Sequence, residues 1–93
     1  MRVKVNVERC HIEAGIPDRS SHCPLGLAIS KALNDNKMFD EYDPYLNNDG
    51  EVYMQDERGC IGMTMELPRS ARRFETRVVK GLPVKPFSFY LEF

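Results

Sequence analysis

Val3, Val5 and Val7 alternate with Arg2, Lys4, Asn6 and Glu8, a period of two that predicts a half-buried first strand. Glu8 to Ala14 reads as a short helical turn stopped by Gly15, and Ile16 to Ser21 has loop chemistry. The period then changes. Leu25, Ala28, Ile29, Ala32 and Leu33 fall at i, i+3, i+4, i+7 and i+8, the apolar stripe of a helix. Pro24 suits its first turn, where no N–H is needed, and Asn34-Asp35-Asn36 ends it. Residues 35–50 keep no period. They mix Asp and Asn with Met38, Phe39, Tyr42, Tyr45 and Leu46, which predicts an ordered loop packed on the body. Val52 and Met54 face inward on a second strand, and Asp56-Glu57-Arg58-Gly59 suits a hairpin connection. Ile61, Met63, Met65 and Leu67 alternate with Cys60, Gly62, Thr64 and Glu66 as a third strand. Pro68 opens a second helix with Ala71, Phe74, Val78 and Leu82 as its inner stripe and Gly81 as its stop. After the stiff connector Pro83-Val84-Lys85-Pro86, Phe87, Phe89, Leu91 and Phe93 share one face of a last strand, with Ser88, Tyr90 and Glu92 on the other.

The succession is β-α-β-β-α-β, an α+β pattern of the ferredoxin-like kind. It predicts one domain over residues 1–93: a four-stranded antiparallel sheet, first and last strands paired, with two helices on one face. Val5, Leu25, Ile29, Met65, Phe74, Phe89 and Leu91 are the expected core.

Bulk properties narrow the chemistry. The 93 residues carry a net charge of −1, so no global field recruits nucleic acid or an anionic membrane. No apolar run reaches the roughly 18–20 residues of a membrane span. The opening alternation is not the solid apolar block of a secretory signal, so a cytosolic protein is expected. Three cysteines, Cys10, Cys23 and Cys60, suit free thiols better than a disulfide framework.

Several residue groups are candidates for a site. Ser20-Ser21-His22-Cys23-Pro24 begins the first long helix, with Cys23 at or near its N-cap. Free N–H groups of Leu25 and Gly26, with the Ser20 and Ser21 hydroxyls and His22, would favour a phosphate or carboxylate there. The same field would activate Cys23, and His22 beside it gives a thiol-enzyme reading. The plain alternative is capping by Ser21, with Cys23 packed as a small apolar group. Cys10-His11, His22-Cys23 and Cys60 hold zinc-type ligands, but adjacent pairs lack the gap of two to four residues usual in structural zinc sites, so no metal and no cofactor is expected. Arg58 to Met65 echoes the third-strand motif of RNA-binding sheets without its outward aromatics, which argues against nucleic acid. Asn47, Asp49 and Gly50 match part of a calcium loop, yet Tyr45 stands where its first carboxylate belongs, and a turn explains them better.

Charge is segregated. Asp35, Asp40, Glu41, Asp43, Asp49, Glu51, Asp56 and Glu57 face Lys37 alone in one segment; the second helix has Arg69, Arg72, Arg73, Arg77 and Lys80 against Glu75. Two solvated faces are the simple reading; docking to a partner or to another copy of the chain is the functional one. Asp40, Glu41, Asp43, Arg69, Arg72, Arg73 and Arg77 are the candidate partner-binding residues.

His11-Ile12 with Gly15, Cys23-Pro24-Leu25-Gly26-Leu27-Ala28-Ile29, Leu67-Pro68 with Ala71 and Phe74, and Gly81 to Phe89 together resemble small, uncharacterised accessory proteins of tailed bacteriophages. Those proteins often carry an acidic residue just before the Gly-x-Pro-Val segment, where this chain has Val79-Lys80. The resemblance implies a phage accessory protein in the host cytosol. Such proteins commonly bind a host defence component or sequester its signal. It implies no activity and no functional residues. The expectation is therefore a non-enzymatic binding protein that occludes a host protein. A sponge for a small phosphorylated or cyclic-nucleotide ligand and a thiol enzyme using His22 and Cys23 are the alternatives.

Overall fold

The computed structural model describes residues 2–16, 22–36, 42–47 and 49–92. In chain order these form β1 (Arg2–Val7), α1 (Arg9–Ala14), α2 (Pro24–Asp35), β2 (Tyr42–Leu46), β3 (Glu51–Asp56), β4 (Ile61–Glu66), α3 (Arg69–Val79) and β5 (Phe87–Glu92). The first and last strands pair antiparallel, Val3 opposite Leu91 and Val5 opposite Phe89. The expected single four-stranded sheet with two helices is overturned. The described strands make a two-stranded ladder, β1–β5, and a separate three-stranded ladder, β2–β3–β4, with three helices.

The extra strand comes from the segment read as a loop. In β2, Pro44 and Leu46 point inward and Asp43 outward, but an Asp and a Pro disguise the alternation. Pro44 is tolerated because among the described strands β2 pairs only with β3, and an edge strand can forgo an N–H. Tyr45, across the ladder from Tyr53, stacks on it at 5.7 Å. With β2 on one flank and β4 on the other, β3 becomes the centre of its own sheet. β4 passes near β5 without a ladder between them.

Both ladders and both long helices send apolar side chains into one core. All seven expected core residues are buried, and Val5, Ile29 and Leu91 are fully enclosed. The stripe Leu25, Ala28, Ile29, Ala32 and Leu33 is buried along α2, as its spacing requires. Two residues expected inside are outside. Met63 lies opposite Met54 but Ile61 lies opposite Gln55, so Gly62 is an extra residue, and Ile61 turns outward, 61% exposed. Leu82 does not continue the α3 stripe. The chain leaves the helix through Gly81 at φ +73°, with Gly81 N–H donating to Val78 O and Leu82 N–H to Arg77 O. This glycine-ended cap swings Leu82 off the inner face, and it stays 45% exposed. No helix among the described residues is long and apolar enough to cross a membrane.

Candidate functional site

At the start of α2, the candidate anion site, the described residues from Cys23 to Gly26 are enclosed. Cys23 is the N-cap, and its Sγ accepts the Gly26 N–H at 3.3 Å, so that donor is already used. Cys23, Pro24, Leu25 and Gly26 are all buried. Glu75 of α3, also buried, lines the same small space as Cys23, Pro24 and Leu25. His22 is exposed, and its carbonyl accepts the Ile16 N–H at 2.9 Å; Ser20 and Ser21 lie outside the described residues. A thiol 1% exposed offers no surface for a substrate, which removes support from the thiol-enzyme reading.

The zinc-type residues are dispersed. Among the described residues the one group with ligand atoms close together is Glu8, Cys10 and His11. Its geometry serves the start of α1: the Glu8 N–H donates to His11 Nδ1 at 3.0 Å, and the Cys10 thiol lies 3.8 Å from Glu8 Oε2. Three ligands with one imidazole nitrogen so engaged fall short of a four-coordinate structural site. Cys60 sits exposed at the β3–β4 hairpin. A thiol reagent should therefore modify Cys10 and Cys60 in the folded protein and reach Cys23 only on unfolding. Mass spectrometry of the labelled protein checks this; rapid native labelling of Cys23 would reopen the start of α2.

The calcium-like segment is turn chemistry. Asn47 Oδ1 accepts the N–H groups of Asp49 and Glu51 at 2.9 and 3.0 Å. Asp56 Oδ1 likewise accepts from Arg58 and Cys60 in the hairpin. These acidic and amide groups stabilise turns. Asp43 remains exposed on β2, while Asp40 and Glu41 lie outside the described residues.

The arginines make the more distinctive surface. Arg69, Arg73 and Arg77 stand one turn apart on the exposed side of α3, with Lys80 beyond them. The expected set divides here. Arg72 is partly a structural clamp: its Nε donates to Leu67 O at 3.0 Å across the β4–α3 junction, and Nη2 lies 3.9 Å from Glu66. Arg77 is also held. Its Nε and Nη2 both donate to Pro83 O, at 3.0 and 2.9 Å, which fixes the guanidinium against the returning connector. None of Arg69, Arg73, Arg77, Lys80 and Lys85 is in an ion pair with another described residue.

Two adjoining grooves share Arg73 and Arg77. One, about 420 Å³, adds Arg69, Arg72, Thr76, Lys80 and Leu82. The other, about 320 Å³, adds Ser70, Phe74, Pro83, Val84, Lys85 and Phe87. Sequence reasoning found the arginines but not Ser70, Leu82, Val84, Lys85 or Phe87. The available signal was topological: a short connector from an Arg-rich helix to a strand runs beside that helix, so Lys85 is brought to its face. A third groove, about 220 Å³, lies between β1 and α2. Two of its charges are paired: Lys31 Nζ lies 2.9 Å from Asp35, and that hydrogen bond and charge hold the Lys31 pKa above its ordinary value.

Comparison of the chain with protein-family models, with curated proteins and with solved structures gives no match.

Proposed function

We propose that the chain is a small non-enzymatic binding protein that docks an acidic host protein on the arginine face of α3. In the setting implied by the phage resemblance, it is an accessory protein that occludes a component of host defence. The observation that carries this reading is the stripe of Arg69, Arg73, Arg77 and Lys80, free of ion pairs with described residues and joined by Lys85. Exposed cations held near one another repel, and an anionic partner relieves that repulsion. Arg77 is pre-positioned by Pro83, so less conformational freedom is lost when it binds. A sponge role has less to rest on, because the Gly26 donor expected to hold a small anion is taken by Cys23.

Zero-length coupling of lysine amines to carboxylates in the natural host tests the proposal. Lys80 and Lys85 should couple to acidic residues of one host protein. The complex should be lost in Arg69→Glu/Arg73→Glu while the thermal unfolding midpoint changes little, since both side chains are exposed. The association rate should fall steeply with added salt, as exposed charges are screened over about 8–10 Å near physiological ionic strength. A host partner retained by the charge-reversed variant would place the binding surface elsewhere.

A further inference from the structure

We infer that the element recognised on this face is an acidic protein segment carrying one bulky apolar side chain, which lodges against Val84 and Phe87 while neighbouring carboxylates meet Arg73, Arg77 and Lys85. This rests on α3 being the docking face and names the chemistry of its partner.

The inference comes from how the smaller groove is built. Its rim is cationic and its floor is apolar, formed where Phe74 of α3 meets Phe87 at the start of β5, with Val84 of the connector beside them. A ligand that is only an anion would leave that floor unused. Exposed Leu82 extends the apolar character into the adjoining groove. Guanidinium groups around an apolar centre are the composition of protein interfaces, where arginine and aromatic residues are enriched. The spacing also fits. Arg69, Arg73 and Arg77 are separated by four residues each, about 6 Å along the axis, which equals the spacing of carboxylates at i and i+4 on a partner helix.

Nucleic acid fits less well. Base recognition uses an open ring face, but the Phe87 ring already lies 4.8 Å from Phe74 and 5.6 Å from Phe89, centroid to centroid. The whole chain is also slightly acidic, so phosphates gain no attraction beyond the face itself.

The test uses the intact chain and four fluorescein-labelled probes, read by fluorescence anisotropy. The first is a 12-residue peptide of about four glutamates around one phenylalanine; the second has serine for the phenylalanine. The third has lysines for the glutamates, and the fourth is a thymidine 12-mer. The first peptide should bind about tenfold or more tighter than the second, the size expected for burying one large apolar side chain. The third should not bind. Arg73→Glu should weaken both acidic peptides at least tenfold, whereas Val84→Asp should erase the advantage of the first over the second. Arg73→Gln and Val84→Ser serve if the charged variants fail to fold. Equal binding of the phenylalanine and serine peptides would overturn the inference while leaving α3 an anion-binding face. Tighter binding of the oligonucleotide than of the first peptide would overturn it in favour of nucleic acid. If no anionic probe bound the wild type, the docking face itself would be wrong.

Discussion

Phe74→Ala should lower the free energy of unfolding by about 3–5 kcal/mol, the usual cost of truncating a buried aromatic. Phe74 is 6% exposed in the middle of α3, and its ring lies 4.8 Å from Phe87 at a 36° tilt. It also lines the space against Cys23, Pro24 and Leu25, so one side chain joins α3 to β5 and to the start of α2. Removing it leaves a cavity that three elements would have to close together. The loss is a large share of the roughly 5–15 kcal/mol that holds a typical domain. Urea unfolding followed by circular dichroism measures it, and Phe74→Leu, which keeps most of the volume, should cost clearly less. A loss below about 1 kcal/mol for the alanine variant, with folding intact, would mean that Phe74 does not join these elements.

Gly15→Ala should destabilise the protein by about 1–3 kcal/mol, the range for overpacking a close contact. Gly15 has φ −75° and ψ 146°, a conformation open to any residue. On backbone grounds alone, alanine there would stabilise by about 0.4–1 kcal/mol through the unfolded chain. Packing reverses that sign. A methyl group at Gly15 would lie 2.5 Å from Pro24 Cδ and 2.6 Å from both its Cγ and its backbone nitrogen, a rigid ring that cannot swing aside. Gly15 and Pro24 thus bring the end of α1 against the beginning of α2. The midpoint of thermal unfolding gives the sign directly. Pro24→Ala in the Gly15→Ala background should recover part of the loss, because the ring atoms go while the nitrogen stays. A more stable Gly15→Ala would mean that the two helices do not meet there.

The charge on α3 was legible because Arg69, Arg73 and Arg77 recur every four residues. The groove beside it was not. It exists because the connector after Gly81 folds back along the helix, so that Pro83 O takes two hydrogen bonds from Arg77 and Lys85 joins the rim. The start of α2 shows the same division. The N-cap position of Cys23 was readable, and its sulfur takes the Gly26 N–H within one turn, but that Glu75 and Phe74 line the same space depended on α3 packing there.

What the sequence by itself determined was local. Period-two runs define β1, β3 and β5, the i, i+3, i+4 stripe defines α2, and Gly15 and Gly81 mark the ends of α1 and α3. Each follows from one residue's preference or from a side-chain period repeated over a few turns. The tertiary structure decided which strands share a ladder. The pairing of β1 with β5 was anticipated, but the division into two sheets was not, because it depends on a strand hidden behind Asp43 and Pro44. Nor could alternation alone reveal the extra residue at Gly62 that turns Ile61 to solvent. A ladder forms between segments far apart in the chain, and a period within one segment says which face is buried but not which neighbour lies beside it.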